Sequence, residues 1–166
     1  MQLIPEGSPN TLITPELRDS LDVWSTPVTS HLVERSDIRR WAIAVYWPEV
    51  PPRIFWDEEY AKTTRWNGII APREFNPFAW PAIRSTDRPA LPAKGIVGQR
   101  RMNGGQKETY GCPIRPSDVI AASSALVQME EKIGKLGLTL YKSVETRWSN
   151  QEGEFVRSRV SIYIIY

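Results

Sequence analysis

The sequence predicts an α+β domain in which an antiparallel sheet carries its helices on one face. Three observations predict it. Helix-period apolar stripes and caps fall in the first half of the chain, and period-2 alternation fills the second half from about residue 99. The later strands are separated by short turns, which only antiparallel neighbours can use. Helices first and strands afterwards is the order of an α+β layer architecture, not of a parallel α/β sheet.

Residues 1–27 read as an N-terminal arm, broken by Pro5, Pro9, Pro15 and Pro27, with a short helix starting at Pro15 behind Thr14 as N-cap. Residues 28–166 read as one domain, an ordinary size for a single core. Residues 28–34 alternate and predict a short first strand. Ser36 then caps a helix whose Ile38, Trp41, Ala42 and Val45 fall at i, i+3, i+4 and i+7. Pro48, Pro51 and Pro52 end it. Residues 57–64 predict a short helix, with Asp57 at the end where a negative charge suits the dipole. After the Asn67-Gly68 turn, Pro72 is placed to open a further helix through Arg73, Glu74 and Phe75, limited by Pro77 and Pro81. Residues 84–98 form a long loop with Pro89, Pro92, Gly95 and Gly98.

In the second half, Asn103-Gly104-Gly105 reads as a turn before an extended segment over 106–112. A strand over 118–130 follows, then a turn over 133–137. The next strand puts Leu138, Leu140, Val144, Thr146 and Trp148 on one face, with Lys142 as the exception. After a hairpin loop over 149–153, the last strand sets Val156, Val160, Ile162, Ile164 and Tyr166 opposite Arg157, Arg159 and Ser161.

Composition narrows the function. Hydrophobic residues make up 41% and charged residues 24% of the 166, as in a soluble globular protein. A net charge of +2 argues against nucleic acid as the main partner. Cys112 is the single cysteine, so no intrachain disulfide is possible, and a reducing cytoplasm is the expected compartment. Residues 1–15 show no basic-then-apolar signal peptide, and no window has the eighteen or so apolar residues of a membrane span. No metal is expected. Seven tryptophans suit a deep core equally with an apolar tunnel or an interface.

Four stretches, in order, resemble the MaoC-like dehydratase and hydratase family in its N-terminal-half type. They are residues 33–42 (VERSDIRRWA), 67–75 (NGIIAPREF), Asn103-Gly104-Gly105-Gln106 with 112–118 (CPIRPSD), and 150–156 (NQEGEFV). The resemblance implies a hot-dog fold, a sheet wrapped around a central helix, and the helix opening at Pro72 is the one expected to be central. It also implies that this half has lost its catalytic residues. Such a half pairs with a second hot-dog chain, as a homo- or heterodimer, and helps form a tunnel for an acyl-coenzyme A or acyl-carrier thioester. No cofactor beyond that thioester is implied.

Hydration of a 2-enoyl thioester needs a carboxylate to activate water, a proton-transfer group such as histidine, and N–H donors for the enolate oxygen. Catalytic members of the family carry Asp-x-Asn-Pro-Leu-His; the matching segment here is Val50-Pro51-Pro52-Arg53-Ile54-Phe55. Val50 stands at the aspartate position and Phe55 at the histidine position, with Glu49 one residue away and Asp57 as a following acid. The catalytic candidates that remain are Glu74, Asp57 and His31, the only histidine. Glu74 on the central helix would suit attack on a thioester carbonyl, as in some hot-dog thioesterases; a favourable helix-start charge is the structural alternative. Cys112 would act as a nucleophile only beside a base. For substrate binding the candidates are Trp66, Asn67, Gly68, Phe75, Phe78 and Trp80 around the acyl chain. Asn103, Gly104 and Gly105 offer backbone donors, and Arg100 and Arg101 offer contacts to phosphates. Each has a structural alternative in core packing, a turn or a solvated basic pair.

Overall fold

Alternation at period 2 over the last third of the chain becomes four long strands. The computed structural model describes residues 2–3, 11–79 and 100–166. Its elements are β1 (Gln2–Leu3), α1 (Pro15–Asp19), β2 (Val28–Thr29), α2 (Arg35–Tyr46), a 3-10 turn (Arg53–Phe55) and α3 (Glu58–Lys62). Then come β3 (Arg101–Tyr110), β4 (Ala121–Gly134), β5 (Gly137–Ser149) and β6 (Phe155–Ile165). The sheet runs β1-β4-β5-β6-β3, with β2 also on β4, and every pairing is antiparallel.

The helices pack through a small set of side chains. Ile38 and Ala42 of α2 are fully buried, and they join Phe55, Ala61, Ile69, Phe75, Ile114, Ile120 and Val156 in one core. Trp41 meets Phe75 edge to face at 5.6 Å between centroids, a favoured aromatic geometry. Val45, the fourth residue of the predicted stripe, is exposed instead. At the start of α2 the Glu34 N–H donates to Asp37 Oδ2 at 3.3 Å. Helix α3 is capped by Asp57, whose carboxylate accepts from the Tyr60 N–H at 3.0 Å.

Four sequence expectations are corrected. No helix opens at Pro72. Residues 72–79 form two successive turns, closed by Phe75 N–H to Pro72 O at 3.0 Å and Ala79 N–H to Asn76 O at 3.1 Å. Pro72 and Pro77 cannot donate, and the Asn76 side chain takes the Phe78 N–H at 3.1 Å, which competes with a helical ladder. Among the described residues α2 is the longest helix, and it gives the core Ile38 and Ala42. Second, Asn103-Gly104-Gly105 is no turn but a bulge inside β3, where the register against β6 shifts between Asn103 and Gly105. The Gly105 N–H donates to Asn103 Oδ1 at 3.0 Å, and Gly105 has φ 122°, a left-handed value that glycine tolerates. Third, β2 is two residues long because 30–33 bonds irregularly to the 117–120 segment, through Ser30 N–H to Ile120 O and Val33 N–H to Asp118 O, both 2.8 Å. Fourth, those bonds hold the 118–120 backbone out of the ladder, so β4 starts at Ala121.

Residues 20–25 lie along the outer edge of β4, with Asp22 N–H to Leu126 O at 2.8 Å and Ser25 N–H to Ser124 O at 2.9 Å. β3 forms the opposite edge. It pairs with β6 alone among the described residues and is exposed over nearly all its length. No helix among the described residues is long and apolar enough to cross a membrane. The predicted loop over 84–98 lies outside the described residues.

Candidate functional site

Strand register decides what this domain buries. Trp148 of β5 pairs directly with Arg157 of β6, and Thr146 pairs with Arg159. Directly paired residues share a face, so the arginine row of β6 lies on the same side as the apolar row of β5. The arginine row was expected only to oppose the apolar residues of its own strand, and it does. Across the hairpin, however, Arg157 faces the 72–79 turns, while Arg159 stays exposed. Phe78 of the 72–79 turns packs edge to face on Trp148, with centroids 5.3 Å apart, which marks that face as the inner one.

Arg157 is therefore only 4% exposed. Its guanidinium carbon lies 3.7 Å from the centre of the Trp148 ring, and one nitrogen donates to the Arg73 carbonyl at 3.2 Å. Burial lowers its pKa and the Glu108 carboxylate raises it, with a net lowering from a value so high that the charge remains. Next along the face, Glu108 accepts from Arg159 Nε at 2.5 Å and from the Tyr110 hydroxyl. Burial opposes the Glu108 charge, but these two donors outweigh it and hold the carboxyl below its ordinary range. The same bond to Glu108 holds the Tyr110 hydroxyl above its ordinary range.

Two cavities flank this core. The smaller, of about 180 Å³, is bounded by Arg65, Trp66, Arg73, Tyr110 and Arg157 together with residues 70–72 and 111–114. Burial, followed by the charges of Glu154 and Asp118, pushes the Cys112 thiol up, so it stays protonated and is a poor nucleophile. The larger is an open groove of about 630 Å³ between α2, residues 31–33 and the 75–79 turns; Trp41 and Phe75 line it beside His31 and Asp37.

The structure distributes the predicted residues among several places. His31 and Phe75 share the large groove, and Trp66 borders the small cavity. Asn67 and Gly68 line a shallow pocket with Arg35 and Arg115, whose guanidinium donates to the Trp66 carbonyl at 2.8 Å. Phe78 packs on Trp148. Asn103, Gly104, Gly105, Arg100 and Arg101 sit at the other end of β3, about 17–34 Å along the strand from Tyr110 at roughly 3.4 Å per residue. They do not converge with Trp66 inside this chain. Trp80 lies outside the described residues.

The acid–base candidates are also dispersed. Asp57 accepts from the Tyr60 N–H and from Arg53 at 2.6 and 2.9 Å, which holds its carboxyl below the ordinary range. Glu74 is exposed on a turn, so no helix dipole acts on it. The His31 ring is exposed and makes no hydrogen bond among the described residues. At the positions matched to the catalytic pair, Val50 is 80% exposed while Phe55 is 9% exposed and packs against Tyr46 at 5.9 Å. Among the described residues no group of three or more His, Cys, Asp or Glu side chains could hold a metal.

A long antiparallel sheet preceded in the chain by short helices is the α+β arrangement that the hot-dog resemblance implies. The family model of the FAS1-like, dehydratase domain region matches residues 23–159, and the chain belongs to that family. Solved structures agree on the fold. One chain of the ChsH1-ChsH2 complex from Mycobacterium tuberculosis is 18% identical with a TM-score of 0.66, covering 87% of this chain and 84% of that one. A MaoC-like dehydratase from Rhodospirillum rubrum is 18% identical with a TM-score of 0.56, covering 85% and 90%. An (R)-hydratase from A. caviae is 16% identical with a TM-score of 0.56, covering 87% and 96%. No curated protein matches the sequence. The resemblance drawn from the four sequence stretches is thus borne out at the level of family and fold.

Proposed function

We propose that this chain is the non-catalytic, acyl-binding partner of a catalytic hot-dog chain in an enoyl-thioester hydratase or dehydratase. The observation that carries the reading is Phe55. At the position matched to the proton-handling histidine, an apolar ring is packed into the core. A phenyl group transfers no proton, and its companion Val50 points to solvent with no acidic group. Asp57 is committed to a helix cap and an ion pair, and Glu74 stands off any helix.

Two further features support a partner. Among the described residues the outer edge of β3 has no partner strand, and the backbone groups of alternate residues along it would be satisfied by an edge-to-edge neighbour. The 630 Å³ groove has the size of a small-molecule site and offers Trp41 and Phe75 as apolar walls for an acyl chain. The ChsH1-ChsH2 and HadBC structures, both from M. tuberculosis, are complexes of two different chains; a two-chain arrangement is proposed here by analogy. The thioester, of coenzyme A or of a carrier protein, is the proposed substrate of the assembled pair.

The test is hydration of a panel of enoyl-coenzyme A thioesters by the purified chain, alone and mixed with a candidate MaoC-like partner. Activity in the mixture only is the expected result. Robust activity from the chain alone would overturn the reading and return His31 and Asp57 to the chemistry. Release of thiol from acyl-coenzyme A that disappears in Glu74→Gln would favour thioester hydrolysis instead.

A further inference from the structure

The small cavity holds an excess of positive charge that nothing in its wall balances. Arg65, Arg73 and Arg157 border it, and no aspartate or glutamate does. None of the three forms an ion pair among the described residues. Each is instead laid against an aromatic ring: Arg65 is 4.4 Å from the centre of Trp66, Arg73 is 5.5 Å from Tyr110, and Arg157 is 3.7 Å from Trp148. Stacking uses the face of a guanidinium and leaves its N–H edge available. Arg157 spends one nitrogen on the Arg73 carbonyl and lies near Tyr110 and Glu108, and a guanidinium has five N–H donors in all.

Nearby carboxylates are mostly engaged elsewhere. Glu108 is held by Arg159 and Tyr110. Asp118 accepts from the Arg115 N–H at 2.7 Å, and Glu154 accepts from the Asn150 side chain at 2.8 Å. Glu74 is exposed on its turn and does not line the cavity, although its charge acts on Tyr110, which does. Three like charges around a confined space repel one another, and one of them is almost wholly removed from water. Arginine does not escape by losing its proton. A tetrahedral oxyanion would satisfy all three forks, and a space of 180 Å³ holds one with a few waters at about 30 Å³ each.

We propose that this cavity is a binding site for a phosphate group, held by Arg65, Arg73 and Arg157 and closed on one side by Trp66. The site stands independently of the partner-subunit reading, because it needs neither a second chain nor a thioester. Its source is either free inorganic phosphate or the terminal phosphate of a small phosphomonoester, and the experiment separates the two.

The full chain is titrated with inorganic phosphate, methyl phosphate and acetate against sodium chloride at equal ionic strength, and followed by melting temperature and by tryptophan fluorescence. A saturable rise in melting temperature with a fluorescence change from Trp66 and Trp148 is expected for phosphate. Methyl phosphate matching it identifies an esterified ligand, whereas binding by inorganic phosphate alone identifies the free ion. The double variant Arg65→Gln/Arg73→Gln, altered only at exposed side chains, should fold normally and weaken phosphate binding at least tenfold. The proposal is overturned if phosphate does no more than chloride, if acetate binds as well as phosphate, or if the folded double variant keeps full affinity.

Discussion

Gly111 joins β3 to the start of β6 and borders the arginine cavity. A methyl group there would sit 2.1 Å from the Phe155 carbonyl oxygen and 2.5 Å from Phe155 Cδ1. An ordinary carbon–oxygen contact needs about 3.3 Å, so the start of β6 must retreat by roughly 1 Å. Two backbone bonds span that seam, Gly111 N–H to Val156 O at 2.8 Å and Cys112 N–H to Phe155 O at 2.9 Å. Losing both removes about 2 kcal/mol, and the residual overpacking adds about 1–3 kcal/mol. Gly111→Ala should therefore destabilise the domain by about 3–5 kcal/mol, which at about 2–4 °C per kcal/mol lowers the melting temperature by about 6–20 °C. The assay is thermal denaturation followed by far-UV circular dichroism, with urea titration to confirm an unchanged slope. Gly134→Ala is the matched control, since nothing lies within 4 Å of its added carbon and its backbone needs no left-handed φ. A Gly111→Ala protein that melts within about 2 °C of the parent would refute the geometry of this seam.

Three further outcomes follow from the inner face of the sheet. The folded pKa of Glu108 is depressed, because donation from Tyr110 and Arg159 outweighs burial. Its contribution to stability is complete above the unfolded value of about 4.3 and is lost as pH falls through the folded value. The stability gap between the parent and Glu108→Gln should therefore narrow from pH 6 to pH 3 in urea titrations; a constant gap would remove Glu108 from the acid response. Trp148→Leu and Arg157→Met should couple by at least about 0.5 kcal/mol in a double-mutant cycle, since the ring and the guanidinium are in contact, whereas additive effects would deny the stack. Burial, followed by the Arg101 charge, lowers the Lys142 pKa, so its charged form weakens the fold at neutral pH. Lys142→Met should raise the melting temperature at pH 7 and flatten the rise in stability that the parent shows as pH climbs towards the lysine range.

Local rules made most of the fold legible. Alternation found three of the four long strands to within a few residues, and the Gly134–Gly137 turn and the 150–154 loop fell where glycine and asparagine put them. The helix stripe found α2, and Asp57 capped α3 as its charge and position required. What failed was arbitration between two valid local readings. Pro72 is a good first residue for a helix, but a helix needs the N–H groups that follow, and Asn76 and Pro77 withdraw them. Asn-Gly-Gly is a good turn, yet inside a ten-residue strand the same residues make a bulge, because β6 supplies a continuous partner that a turn would forgo. In the first case the deciding residues were close by, and in the second the deciding information lay in a strand distant in the sequence.

The candidate site fails to read from sequence for that same reason, at the level of register. Arg157 and Arg159 alternate with Val156 and Val160, and a single strand gives no hint of which row faces inward. A one-residue slip of β6 against β5 would reverse the answer, sending Arg157 to the opposite face and bringing Val160 and Ile162 to the face that Trp148 occupies. The observed register shift between Trp148 and Ser149 at the mouth of the hairpin fixes the choice, and it sets Arg157 opposite Trp148. Burying a guanidinium is costly unless its charge is met, and here the nearest acid is already shared by Arg159 and Tyr110. A core that only had to be stable would do as well with a methionine at 157. That the fold keeps a charged group there, beside Arg65 and Arg73 and against a ring that can hold it, is the physical reason to look for an anion in that cavity.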